Sequence, residues 1–263
     1  MNGEIICIGT EILLGDTLNS NSQYLSQELS SLGINLFYHT VVGDNPGRLK
    51  KVIELAIKRS DIIITTGGLG PTQDDLTKET IADILDIPLE LHKPSLNYIE
   101  SYFKNTGRKM TTNNIKQAYA PVGSIVVPND NGTAPGIIIE NNNKIFILLP
   151  GPPHEMTNMF KKSIFPYILK KEKINFYSRY YKVVGIGESQ LEDMLIDIIK
   201  DQTNPTIATY AGHNEILLRL TANSKIINVN IKIAVINNTS CKIYFEVPAA
   251  TSINSPSKAE NTA

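Results

Sequence analysis

The sequence predicts an α/β protein: a three-layer domain with a mainly parallel sheet, followed by a small α+β unit. Three observations predict it. From Glu4 to Thr66 apolar runs of strand length alternate with amphipathic runs of helix length, giving a βαβαβ unit, and such a unit implies parallel strands joined by right-handed crossovers. Ile62 to Ile64 is continuously apolar, as expected of a strand covered on both faces. Beyond the polar, charged stretch Lys170 to Asn175, which reads as a linker, the pattern restarts as strand, helix, strand, strand.

Glu4 to Gly9 reads as the first strand, Asn19 to Leu32 as an amphipathic helix closed by Gly33, and Ile34 to Val42 as the second strand. Pro46 opens a helix that runs to Arg59, since proline is tolerated in a first turn whose N–H would be unpaired anyway. Asp61 to Thr66 is the third strand. Helices follow near Lys78 to Leu85 and Ser95 to Asn105, then short strands around Ser124 to Val127, Gly136 to Glu140 and Lys144 to Leu149, and a helix from Pro153 to Leu169. In the second unit Tyr180 to Val184, Pro205 to Ala211 and Glu215 to Thr221 read as strands and Glu188 to Lys200 as a helix. The expected organisation is a domain over 1–170, a small domain over 176–224 with an outer limit near 248, and a disordered tail over 249–263 rich in Ser, Asn, Pro and Ala.

The 263 residues, 41% hydrophobic and 19% charged, are enough to bury a sizeable core in one or two domains. With a net charge of -1 and a pI near 6.4 there is no basic field to attract nucleic acid or anionic lipid, so neither is expected as a partner. Cys7 lies within an apolar strand and Cys241 has no CxxC mate, which argues against a disulfide framework or zinc site. No apolar run approaches the ~20 residues of a membrane span, and the amino terminus shows no signal-peptide pattern. A cytoplasmic setting is expected.

The chemistry concentrates in Asp61 to Thr80, where a buried strand runs into a glycine turn, then paired carboxylates, then a helix start. Gly67, Gly68 and Gly70 stand at the strand's carboxyl end, where a ligand can approach the backbone closely. Thr77 is placed to cap the next helix, whose amino end offers unpaired N–H groups to an anion. Asp74 and Asp75 can hold a hard divalent cation or orient a water; being adjacent, one is expected to face the ligand while the other supports the loop. An Asp-Asp pair before a helix can simply initiate it, but the agreement of glycines, strand and helix start favours a ligand site. Similar glycine-polar segments end other apolar runs: Gly9 to Asp16, Val41 to Asn45, Asn129 to Gly136, and Leu148 to Met156.

With these five separated motifs in order, the first two thirds of the chain closely resembles the amino-terminal domain of the CinA family (competence/damage-inducible protein), itself similar to the MogA/MoaB molybdopterin-binding domain. The segment after the linker resembles the family's KH-like domain. RNA-binding KH folds clamp the backbone with a GXXG loop, whereas Gly185-Ile-Gly-Glu188 has a different spacing and an acid, so this unit reads as structural or dimer-forming and a homodimer is expected. The resemblance implies a metal-dependent pyrophosphatase that hydrolyses ADP-ribose or a related nucleotide to AMP and ribose 5-phosphate, with Mg²⁺ or Co²⁺ and K⁺ as a further candidate cation. Longer members carry a carboxyl-terminal nicotinamide-nucleotide amidase domain; the remaining length does not accommodate it, and no amidase activity is expected.

Pyrophosphate cleavage calls for an activated water and for neutralisation of charge on the phosphoryl oxygens. Asp74, Asp75 and Glu11 are the candidate catalytic carboxylates, the first two as metal ligands. Gly67, Gly68, Gly70 and Thr72 are candidates to cradle the phosphate, with Lys78 as a cationic partner. Glu11 has the alternative of merely starting a helix, and Lys78 that of a solvated first-turn lysine. Asn129, Gly132, Thr133 and Gly136 form a candidate second wall or a mere hairpin turn; Gly151 gives a rigid turn from which Glu155 either reaches the site or favours its own helix end. His154 reads as a surface residue, and His39, His92 and His213 lie in unrelated contexts. Two other readings stay open: pterin binding with adenylyl transfer, and a non-catalytic interaction protein or truncated remnant.

Overall fold

The computed structural model describes residues 1–171, 175–200, 202, 206–212, 215–224, 235–237 and 240–242. The chain divides into two compact units, Met1–Glu172 and Lys173–Ala263.

In the first unit β1 (Asn2–Ile8) leads through the short α1 (Thr10–Leu14) to α2 (Ser20–Ser31), β2 (Asn35–Val42), α3 (Pro46–Arg59), β3 (Ile62–Thr66) and α4 (Thr77–Leu85). Then come β4 (Leu89–Leu91), α5 (Lys93–Asn105), a 3₁₀ turn over Thr112–Ala118, β5 (Tyr119–Pro121), β6 (Ile125–Val127), β7 (Gly136–Asn141) and β8 (Lys144–Leu149). The unit closes with α6 (Pro153–Met159), a π-helical segment over Phe160–Ile164, and α7 (Phe165–Lys171). The helix expected from Pro153 to Leu169 therefore exists with a π turn inside it, and it takes in Lys170 and Lys171 of the expected linker.

Caps explain the helix starts. Asn19 accepts from the Ser22 N–H at 3.2 Å and Asn45 from the Arg48 N–H at 2.9 Å, with Pro46 in the first turn of α3. The six-stranded sheet has the order β2-β1-β3-β8-β7-β6. The pairings β1–β2, β1–β3 and β3–β8 are parallel, whereas β7 and β6 close the far edge as antiparallel strands.

Strand alternation sorts the core into two layers of side chains. Ile5, Cys7, Ile62, Ile64, Ile147 and Leu149 pack on one face with Leu25 and Leu29 of α2 and the Met156–Ile168 helical run. Ile6, Ile8, Ile63, Phe146 and Leu148 pack on the other with Leu49, Ile53 and Ala56 of α3 and Ile81 of α4. Full burial of each Ile or Leu is worth roughly 1.5–3 kcal/mol, and it is why these central strands carry apolar residues on both faces. Glu4 is fully buried, held by the Arg59 guanidinium at 2.6 and 2.9 Å and by Thr40 and Ser60. A buried carboxylate is tolerated only with such partners.

The second unit has β9 (Asn175–Val183), α8 (Glu188–Lys200), β10 (Thr206–Ala211) and β11 (Ile216–Ser224) in an antiparallel sheet of order β10-β11-β9. Leu191 and Leu195 of α8 pack on Ile207, Ile216, Leu218 and Leu220. A hairpin of β12 (Val235–Asn237) and β13 (Ser240–Lys242) follows. Asn175 of the expected linker begins β9, whereas its residues 172–174, His213 and the expected tail over 249–263 lie outside the described residues.

Candidate active site

All four parallel strands end at one rim, and each is followed by a segment rich in glycine or acid: Gly9 after β1, Gly43-Asp44 after β2, Gly67 to Gly70 after β3, and Pro150-Gly151-Pro152 after β8. The order of β1 to β3 places β2 and β3 on opposite sides of β1, so the connections leave in opposite directions and open a crevice at the carboxyl edge. A cavity of about 430 Å³ occupies it, lined by Gly67 to Pro71, Gly151 and the carboxylates of Glu11, Asp44, Asp74, Asp75 and Glu155.

The glycine turn is dictated by sterics. Gly67 has φ 99° and a Cβ there would run into the Ile8 carbonyl; Gly68 has φ 67° and a Cβ would meet the Thr77 hydroxyl. The Gly67 N–H is spent on the Leu149 carbonyl at 3.0 Å, which ties the turn to β8. Those of Gly68, Leu69, Gly70 and Gly151 have no protein partner among the described residues. Unpaired amides on the rim of a parallel sheet are anion donors. The Asn21 amide of α2 donates to the Gly151 carbonyl at 2.7 Å and fixes the second of these turns.

The two adjacent aspartates, which both line the cavity, differ in their hydrogen bonds. Asp75 accepts from the Thr72 N–H at 2.9 Å and from its hydroxyl, closing the loop on itself. Asp74 is exposed, and the Thr72 hydroxyl, its own backbone N–H and the charge of Lys116 hold its carboxyl below the ordinary range against a small desolvation effect. Lys116, from the 3₁₀ turn, donates to the Thr72 carbonyl at 2.8 Å and to that of Asp75, and lies 4.0 Å from Glu79. It anchors the acid loop from 41 residues away.

Several candidates act elsewhere than expected. Thr77 does not cap α4: the cap position is Leu76, and the Thr77 hydroxyl donates to the Gly67 carbonyl at 2.9 Å, bracing the glycine turn from below. Lys78 is buried, does not line the cavity, and donates to the Lys116 carbonyl; burial, opposed by Glu79 and Asp75 and reinforced by Lys116, pushes its ammonium down to about 8. It supports the loop's anchor and does not face a phosphate. Thr72 likewise serves Asp75 and does not line the cavity. Asn129 spends its amide on the Ala134 carbonyl at 2.8 Å and Glu155 at 2.6 Å, while Gly132 and Gly136 make room for the Glu155 carboxylate and the Met159 sulfur. They hold the wall, whose contribution to the cavity lining is Thr133 and Ala134.

Glu11 lines the cavity from the first turn of α1, folded back over Gly9, where a Cβ would crowd its carboxylate. Glu155, in the first turn of α6, reaches the cavity with its side chain only 14% exposed, and His154 beside it is 69% exposed. Asp44, Gln117, Asn21 and Lys116 were not candidates from the sequence. Asp44, which accepts from the Thr10 N–H and hydroxyl at 2.9 Å each, lay within a flagged glycine-polar segment. The other three carry no local signal.

Among the described residues no three His, Cys, Asp or Glu side chains stand close enough together to hold a metal ion on their own. The donor set still fits Mg²⁺, which binds through one or two carboxylates and completes its shell with water and ligand phosphates. Asp74, ionised and not engaged in closing its loop, suits that role best.

The molybdopterin-domain family model, described as "Probable molybdopterin binding domain", matches residues 4–170, and the "Damage-inducible protein CinA KH domain" model matches 178–243. A CinA-like protein of Dictyoglomus thermophilum is 57% identical over 222 residues, covering 84% of this chain and 54% of its own length. One of Dictyoglomus turgidum is 55% identical over 225 residues, covering 86% and 55%. This chain thus spans about half the length of these curated relatives. The crystal structure of the protein CinA from Thermoplasma acidophilum matches with a TM-score of 0.59 and 33% identity, over 64% of this chain and 97% of that one.

Proposed function

The chain belongs to the CinA family, with a MogA/MoaB-like α/β domain followed by the CinA KH domain, and from that premise we propose that its rim cavity hydrolyses a nucleotide pyrophosphate of the ADP-ribose type with a divalent cation. The observation that carries this reading is the meeting, in one cavity, of unpaired amides of Gly68, Leu69, Gly70 and Gly151 with the carboxylates of Asp74, Glu11 and Glu155. Amides take up charge that develops on phosphoryl oxygens, and they are already oriented, so no reorganisation is needed at the moment of reaction. Asp74 would hold the cation, which when bound supplies charge neutralisation and lowers the pKa of a coordinated water. Glu155, pinned by the Asn129 amide, and Glu11 both line the cavity and would orient a water and accept its proton.

The family model's own description favours a second reading, a binding site for molybdopterin, whose phosphate would use the same amides. Purified protein incubated with ADP-ribose and Mg²⁺ or Co²⁺, with and without chelator, separates the two. Release of AMP and ribose 5-phosphate that stops with chelator is expected; no cleavage, together with tight molybdopterin binding, favours the second reading.

A further inference from the structure

A second cavity, of about 210 Å³, opens between α5 and the segment Val126 to Pro135. Its walls are apolar and rigid: Pro94 and Tyr98 on the helix side face Val126, Pro128 and Pro135. Thr133 lines both this groove and the rim cavity, and Asn129, which lines the groove, is bonded to Glu155 of the rim cavity at 2.6 Å. The turn Asn129 to Ala134 is therefore a shared partition between the two cavities, stiffened by the Asn129 bonds to Ala134 and to the Asn131 N–H.

We propose that this groove takes the nucleobase of the nucleotide whose phosphates occupy the rim cavity. The inference rests on the reading of the rim cavity as a pyrophosphate site. A base is flat, apolar on its faces and polar at its edge, and the groove matches each property. Proline rings and a tyrosine offer flat apolar contact for the faces. The Tyr98 ring is held by its own hydroxyl, which donates to the Asn129 carbonyl at 2.8 Å, so little freedom is lost when a base docks. The groove also carries His92 and Ser95, polar groups suited to the hydrogen-bonding edge of a base. The larger cavity carries five carboxylates and the groove none, so a nucleotide spanning both would sort its parts by polarity.

The test compares AMP with ribose 5-phosphate, which differ by the base alone, in calorimetric binding to the full chain. In wild type AMP should bind about ten-fold tighter, the usual scale of one stacked base. Tyr98→Ala, which removes a wall, and Val126→Phe, which fills the groove, should each bring that ratio to about two or less. Because both ligands are measured on the same protein, partial misfolding lowers both affinities and leaves the ratio readable. A wild-type ratio near one, or a ratio unchanged in both variants, overturns the proposal. A selective ratio in a protein that cleaves no pyrophosphate would uphold the groove and remove the hydrolytic reading, so the two failures are distinguishable.

Discussion

At Asp74 and Asp75 two neighbouring carboxylates differ because their hydrogen bonds differ. Asp75 closes the loop through the Thr72 N–H and hydroxyl, while Asp74 is exposed on the cavity side. Asp75→Ala should therefore lower the unfolding free energy by about 1–2 kcal/mol, as expected for a lost loop-closing acceptor, whereas Asp74→Asn should leave it close to the wild-type value. Chemical denaturation of the two variants checks this, and equal effects would contradict the division of labour. Lys78 illustrates the opposite case, a charge removed from water. Its ammonium is pushed from 10.5 to about 8, chiefly by burial, among Glu79, Lys116 and Asp75. Between those values the unfolded chain holds the proton more tightly than the folded one, so this lysine's contribution to stability rises with pH and is lost as pH falls through about 8. Compared with Lys78→Met, wild type should gain up to about 3 kcal/mol between pH of about 7 and 10. A wild-type minus Lys78→Met stability difference that stays flat or falls as pH rises over that range would show that Lys78 titrates normally.

Turns, more than helices or strands, give this domain its chemistry, and they are where single substitutions act most sharply. Gly68→Ala combines a left-handed φ with a Cβ directed at the Thr77 hydroxyl, and that hydroxyl is already bound to Gly67. We expect a loss of about 1–3 kcal/mol together with weaker phosphate binding; a midpoint of denaturation equal to wild type would mean that the turn has another conformation. The longer elements were legible in the sequence because their signals are local. The continuous apolar run of β1 and the Asn-Pro start of α3 need no knowledge of the rest of the chain. Four short elements, α1, β4, β5 and the 3₁₀ turn, escaped because they are too short to show a period. So did the π turn at Phe160–Ile164, which lies inside an otherwise regular helical pattern.

Across the whole first unit, the parallel topology gathers motifs from Glu11 to Glu155 onto one edge, and the sequence announced them as glycine-polar segments at strand ends. What it concealed was which side chain in each motif faces the cavity. Lys78 and Asn129 are buried against Lys116 and Glu155, partners supplied by distant segments, while the exposed Thr72 is spent on Asp75 three residues on. Asn21 reaches Gly151 across 130 residues, a contact that no local pattern could reveal. The proposed function makes this convergence catalytic and Asp74 the carboxylate that holds the cation. The most direct measurement is kcat for ADP-ribose cleavage by wild type and Asp74→Asn at saturating substrate and Mg²⁺. The account predicts metal-dependent turnover in wild type and a fall of roughly 100-fold or more in the variant, with folding unchanged; turnover in Asp74→Asn within about two-fold of wild type would contradict it.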